Sequence, residues 1–182
     1  MRRMTWTPTR RIALIALLVV AGDQLTKFAV LRWLGYAQER TIVPGFFKFV
    51  HWGNTGAAWS LFQDSNAILA VVSLLALVAL FFYRHRFDTG SIVGQASLGM
   101  IFGGILGNLT DRVIHHHVID FLYFHLHRRG GQEIGFPAFN VADSGICVGV
   151  ALLFLISWRS EAADAAAGSG RDQAHRTEPL QR

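Results

Sequence analysis

The sequence predicts an α-helical integral membrane protein: four spanning helices with a small β-rich element at the outer membrane surface. Three observations carry this. First, 52% of the residues are hydrophobic and only 16% are charged, where a soluble domain carries about 25% charged residues. Second, four apolar runs reach or approach the roughly 20 residues that a hydrocarbon core demands. Third, basic residues gather at the ends of these runs and not along one face, which is a pattern of membrane topology. That distribution argues against a nucleic-acid partner despite a net charge of +5. The single cysteine, Cys147, lies inside an apolar run, which excludes a disulfide framework and a thiolate metal cluster.

The first run, 12–34, is interrupted by Asp23, Gln24 and Lys27. Arg2, Arg3, Arg10 and Arg11 precede it, as they would a cleavable signal peptide. No small-x-small cleavage site follows and apolar character resumes at Phe28, so the run reads as a retained helix. The second run, 66–83, has no charge; the third, 92–109, is rich in glycine; the fourth, 141–158, holds Asp143 near its start. Lipid offers backbone groups no water to bond, so each run must be helical. Gly99, Gly103 and Gly107 fall on one face of the third helix, and Gly145 and Gly149 repeat the device in the fourth, which allows close helix approach.

The connections differ in kind. Segments 41–52 (TIVPGFFKFVHW) and 118–126 (VIDFLYFHL) are rich in aromatic and β-branched residues, the composition of short strands or interfacial segments. They predict a small sheet on the outer leaflet. Arginines are dense before the first helix, at Arg84 and Arg86, and at Arg159, so both termini are expected in the cytoplasm and the two longer loops outside. Residues 1–160 form one membrane domain on this reading. The tail, 161–182, has no apolar periodicity and is expected to be disordered.

Acids at membrane depth are costly and point to function. Asp23 has Lys27 one helical turn later and can pair with it, a structural arrangement. Asp111, with Arg112 beside it and Asn108 one turn earlier, reads as part of a hydrogen-bonded scaffold. Asp120 and Asp143 are different, because neither has a basic residue within four positions. Asp143 falls in the first turn of the fourth helix, where the helix dipole favours an anion and Asn140 can cap. The topology puts both acids at the outer interface. Two carboxylates sharing a site hold one proton between them and can activate water against a carbonyl. The residues by themselves reach possible aspartic chemistry and no further.

Five motifs in order sharpen this reading: DQLTK at 23–27, NTGAAWS at 54–60, GNLTDRV at 107–113, HVIDF at 117–121 and FNVADS at 139–144. Together with four apolar runs they resemble the lipoprotein signal peptidase (signal peptidase II) family. The resemblance spans the chain except the extreme N-terminus and the tail. It implies an aspartic endopeptidase of the bacterial inner membrane. Such an enzyme cleaves prolipoproteins before a diacylglyceryl-modified cysteine, needs no cofactor or metal, and is blocked by the cyclic peptide globomycin. By motif, Asp120 and Asp143 match the catalytic pair. Asn54, Gly56, Gly107, Asn108, Asp111, Arg112, Asn140 and Ala142 match positions that line or support the substrate site. Asp23 and Lys27 match a motif that serves stability. A monomer in contact with lipid is expected. One departure stands out, since His116 occupies a place where many members have glycine.

Two rival readings draw on the same residues. His115, His116, His117, His125 and His127 flank Asp120 and suggest a metalloenzyme, but HExxH is absent and adjacent histidines diverge on regular structure. A small transporter using its acids as a proton relay would often show internal repeats, and the two halves of this chain show no correspondence.

Overall fold

Thr7 and Pro8 start the first helix. The Thr7 hydroxyl accepts from the Arg10 N–H at 3.4 Å, and proline occupies a first-turn position that needs no donor. The computed structural model describes residues 7–56, 61–87 and 89–176, with side chains to residue 159. Helix α1 (Pro8–Trp33) leads into strands β1 (Glu39–Val43) and β2 (Phe47–Asn54), then helix α2 (Asn66–Tyr83) with a 3₁₀ turn at Arg84–Arg86. Helix α3 (Ile92–Ile114), strands β3 (Val118–His127) and β4 (Glu133–Gly135), and helix α4 (Val141–Arg176) complete the chain.

All four helices are long and apolar enough to cross a membrane, by length and composition. Their burial pattern is inverted relative to a soluble protein. Asp23, Lys27, Gln95, Asp111, Arg112 and Asn140 are buried, whereas Leu17, Leu25, Phe28, Leu75 and Phe82 are exposed. Helix α2 has no buried residue. Exposed apolar faces around a polar interior suit hydrocarbon, where charged groups must turn inward and pair.

The glycine faces pack as the spacing predicts. A Cβ at Gly103 would lie 2.6 Å from the Ala16 carbonyl oxygen of α1, and one at Gly149 would lie 2.7 Å from the Ser97 carbonyl oxygen of α3. Helix α3 is therefore central, pressed against α1 on one side and α4 on the other.

Two boundaries extend past expectation. Helix α3 continues beyond 109 to Ile114, because Asp111 and Arg112 turn inward and are satisfied there. Helix α4 continues beyond 158 to Arg176, through a segment with alanines at 162, 163 and 165–167, the best helix formers. Residues 177–182 of the tail lie outside the described residues.

The sheet is antiparallel in the order β1-β2-β3-β4. Its β2–β3 register shifts between Phe49 and Trp52, leaving Asp120 opposite Trp52. Val30 and Leu34 at the end of α1 pack with Phe121 of β3, joined by Phe49, Leu122 and Val141. The sheet thus sits at the bundle end where α1 and α3 finish and α2 and α4 begin. Beyond β4, Phe139 bonds back to β3: it accepts from the N–H groups of Phe121 and Leu122 at 3.1 and 2.9 Å and donates to the Leu122 carbonyl at 3.1 Å. This tie brings the first turn of α4 beside Asp120.

Candidate active site

The turn that starts α4 is built by Asn140 and Asp143 reciprocally. Asn140 Oδ1 accepts from the Asp143 N–H at 2.9 Å, and Asp143 Oδ2 accepts from the Asn140 N–H at 3.1 Å. Two of the helix's otherwise unpaired donors are satisfied in this capping box. The Ala142 N–H goes to Asp23 Oδ1 of α1 at 2.9 Å.

Three asparagines then connect the two acids. Asn140 Nδ2 donates to Asp120 Oδ1 at 2.9 Å, and Asn54 Nδ2 donates to Asp120 Oδ2 at 2.9 Å. Asn108 Nδ2 donates to Asp143 Oδ1 at 2.7 Å. Each amide is fixed in orientation by its own oxygen, which faces a group that can only donate: Asp143 N–H for Asn140, Gly56 N–H for Asn54, and Lys27 Nζ for Asn108. The donors therefore point at the carboxylates by necessity.

Behind this layer lies a buried ionic cluster. Lys27 Nζ is 2.8 Å from Asp23 Oδ2 and 2.7 Å from Asp111 Oδ2, and it donates to Asn108 Oδ1 at 3.1 Å. All three of its protons have partners. Gln24 Nε2 donates to Asp111 Oδ1 at 2.9 Å, and Asp111 Oδ2 accepts the Ile119 N–H at 3.1 Å, which anchors the start of β3 to α3. Asp111 pairs with Lys27, and Arg112 turns away to donate through Nη2 to the Gly56 carbonyl at 2.9 Å. Gly107 is required where it stands, since a Cβ would lie 2.6 Å from Asp23 Oδ2. At Gly56 a Cβ would lie 2.7 Å from the Leu61 carbonyl oxygen.

A cavity of about 630 Å³ opens in front of the acids. Asn54, Gly56, Asn108, Arg112, Asp120 and Asp143 line its polar end, and Phe136, Pro137, Phe139, Ile146 and Val148 line the rest. Arg112 is buried, and its Nε and Nη1 have no hydrogen-bond partner among the described residues. Burial, assisted by the charge of Asp143, pushes the Asp120 carboxyl up to about 7, against the amide donors of Asn54 and Asn140 and the positive charge of Lys27.

The sequence-derived residues therefore converge on one region. Asp120, Asp143, Asn54, Gly56, Asn108 and Arg112 reach the cavity, while Asn140, Asp111, Gly107, Ala142, Asp23 and Lys27 stand behind it. This arrangement brings two carboxyls, each held by asparagine donors, to the polar end of one cavity. A sequence model described as signal peptidase (SPase) II matches residues 15–159.

The chain belongs to the signal peptidase II family.

Relatives of this signal peptidase II family member agree over most of their length. The lipoprotein signal peptidase of Syntrophotalea carbinolica is 38% identical over 153 residues, covering 82% of this chain and 92% of that one. That of Bacillus subtilis is 33% identical over 142 residues, covering 78% and 89%. A solved structure described as a bacterial membrane enzyme superimposes with a TM-score of 0.70 at 25% identity, covering 94% of both chains. A second gives 0.66 at 29% identity, covering 80% and 90%. Family membership and four apolar helices make this a multi-pass membrane protein of a peptidase family.

Some contributors had no role assigned from the sequence. Gln24 lies inside the DQLTK motif, yet its reach to Asp111 needs the α1–α3 contact to be known. The segment Phe136–Phe139 forms a cavity wall, and its only sequence signal was its position just before Asn140. Of the NTGAAWS motif, residues 57–60 lie outside the described residues.

Proposed function

We propose that this chain removes signal peptides from bacterial prolipoproteins by aspartic catalysis, with Asp120 and Asp143 as the dyad. The observation that carries the reading is the pair of carboxyls at the polar end of an apolar cavity, each held by asparagine donors of fixed orientation. The transporter alternative is not favoured, since the chain belongs to a peptidase family.

In this mechanism Asp120 carries the shared proton, consistent with a carboxyl lifted to about 7 by burial. Asp143 accepts a proton from water as the water oxygen attacks the scissile carbonyl. Asp120 gives its proton to the carbonyl oxygen. The tetrahedral diol then collapses with proton transfer to the leaving amide nitrogen, and the C–N bond breaks. The unpartnered Nε and Nη1 of Arg112 supply donors for a peptide carbonyl of the bound substrate. Asn54, Gly56, Gly107, Asn108, Asp111, Asn140 and Ala142 hold the dyad, and Asp23 with Lys27 stabilises the layer behind it.

The substrate enters from lipid. Ile146, Cys147 and Val148 form one wall of the cavity, and Cys147 and Val148 are exposed on the apolar outer face of α4. An opening there admits a signal-peptide helix and its acyl chains sideways, with each buried CH₂ worth roughly 0.8 kcal/mol. A globomycin-type cyclic peptide would occupy the same cavity. The basic residues at the opposite bundle end support a topology with both termini in the cytoplasm and the site, with its sheet, at the outer leaflet of the inner membrane.

The test is cleavage of a prolipoprotein in lipid, with and without its diacylglyceryl group, at matched concentration. The lipidated form should be cut far faster, because binding energy from remote groups appears in turnover. Equal rates would remove the lipid from recognition, and no cleavage of either form would reject the activity.

A further inference from the structure

The β3–β4 hairpin holds a cluster that the dyad does not use. His125 and His127 are two apart on β3, so they share a face of the strand, and Glu133 of β4 lies directly opposite His127. Glu133 Oε2 is 3.4 Å from His125 Nδ1 and 3.8 Å from His127 Nε2. The three ligand atoms all lie within 4.8 Å of one another. His125 is 2% exposed, and neither of its buried ring nitrogens makes a hydrogen bond among the described residues. A buried imidazole left unsatisfied is costly, and its Nδ1 is aimed at a carboxylate on the next strand.

We propose that His125, His127 and Glu133 form a site for a divalent transition-metal ion of the zinc type, which clamps the hairpin. Two imidazoles and one carboxylate are a common zinc donor set, with a fourth position left for water. Donors about 2.0–2.2 Å from a tetrahedral ion stand roughly 3.4 Å apart. The His125–Glu133 separation already matches this, and the exposed His127 closes the remainder by a side-chain rotation. Lys48 Nζ bonds Glu133 Oε1 at 3.3 Å and Oε2 at 3.0 Å. With Oε2 on the metal, Lys48 keeps Oε1 and orients the carboxylate as an outer partner.

The site is separate from the dyad. His125 lies five residues along β3 from Asp120, about 17 Å at the rise of an extended strand. It is nevertheless connected to the cavity, because the chain leaves β4 directly into Phe136 and Pro137 of the cavity wall. A clamped hairpin would steady that wall.

The experiment is a Co²⁺ titration of chelator-stripped, tag-free full-length protein in detergent, read by visible absorption and by thermal midpoint, with Zn²⁺ as competitor. One equivalent should bind saturably, raise the midpoint by several degrees and be displaced by Zn²⁺. His127→Ala and Glu133→Gln should bind at least tenfold more weakly while melting like the metal-free parent. His127 is exposed, so its removal does not threaten folding. Absence of saturable binding, or unchanged affinity in both variants, overturns the proposal.

Discussion

Asn140 donates through Nδ2 to Asp120 Oδ1 at 2.9 Å, and the same side chain caps Asp143 through its Oδ1. One residue thus sets the position of both carboxyls, and its two functions can be separated. Serine at position 140 would still cap the helix but cannot reach Asp120. Asn140→Ser should melt within a few degrees of the parent, since a replaced cap costs about 1 kcal/mol or less. Its turnover should fall by about tenfold or more through loss of one oriented donor. Parallel measurement of thermal midpoint and kcat checks this, and normal kcat would confine Asn140 to a structural role.

The charge count of the buried cluster makes a second prediction. Asp23, Asp111 and Lys27 together carry one net negative charge. Asp23→Asn brings the cluster to neutrality and leaves the Lys27–Asp111 pair at 2.7 Å intact. Lys27→Met leaves two buried carboxylates facing each other, and breaking a buried pair in this way costs about 3–5 kcal/mol. Lys27→Met should therefore lower the thermal midpoint far more than Asp23→Asn. Lys27→Met also frees Asn108 to rotate away from Asp143, so activity per folded molecule should fall as well. Equal melting of the two variants would contradict the pairing.

The pH dependence follows from Asp120. A carboxyl lifted to about 7 binds its proton more tightly in the folded chain than in the unfolded one, where its value is about 3.9. Its stabilising contribution is complete below about pH 4 and is lost as pH rises through about 7. The stability of the parent relative to Asp120→Asn should therefore fall over that window. Catalysis that requires the proton on Asp120 should decline above about pH 7, with an apparent value belonging to the coupled pair. A kcat/KM profile from pH 5 to 9 tests this; a flat profile would assign the proton elsewhere.

His116 offers a stability prediction independent of chemistry. It turns α3 into β3 with φ at +62°, a left-handed conformation that costs a side-chain-bearing residue roughly 1–2 kcal/mol. Glycine removes that cost but loses more freedom on folding. His116→Gly should leave turnover unchanged and raise stability by up to about 1 kcal/mol, as judged by the thermal midpoint.

The sequence made the helices legible, because apolar runs of spanning length have few alternatives in lipid. Asp120 and Asp143 were legible as acids without local partners, and the ordered motifs then singled them out. What the sequence hid is contact across the chain. Lys27 has a sequence neighbour at Asp23, but its second partner, Asp111, comes from α3 and is visible only once the glycine faces have packed. Arg112 looks like a partner for Asp111 in the sequence and turns instead toward Gly56. The convergence of Glu133 with His125 and His127 depends on the β3–β4 register, which no local pattern announces.

The central claim is that Asp120 and Asp143 act as one catalytic unit. Asp120→Asn, Asp143→Asn and the double variant, each purified and shown to be folded by its thermal midpoint, should be assayed on a diacylglyceryl-modified prolipoprotein in the same lipid. Each single change should lower turnover by at least about 10²-fold. The double variant should be no worse than the more damaged single, because residues acting as a unit are not additive. Turnover by folded Asp143→Asn within tenfold of the parent would contradict the account.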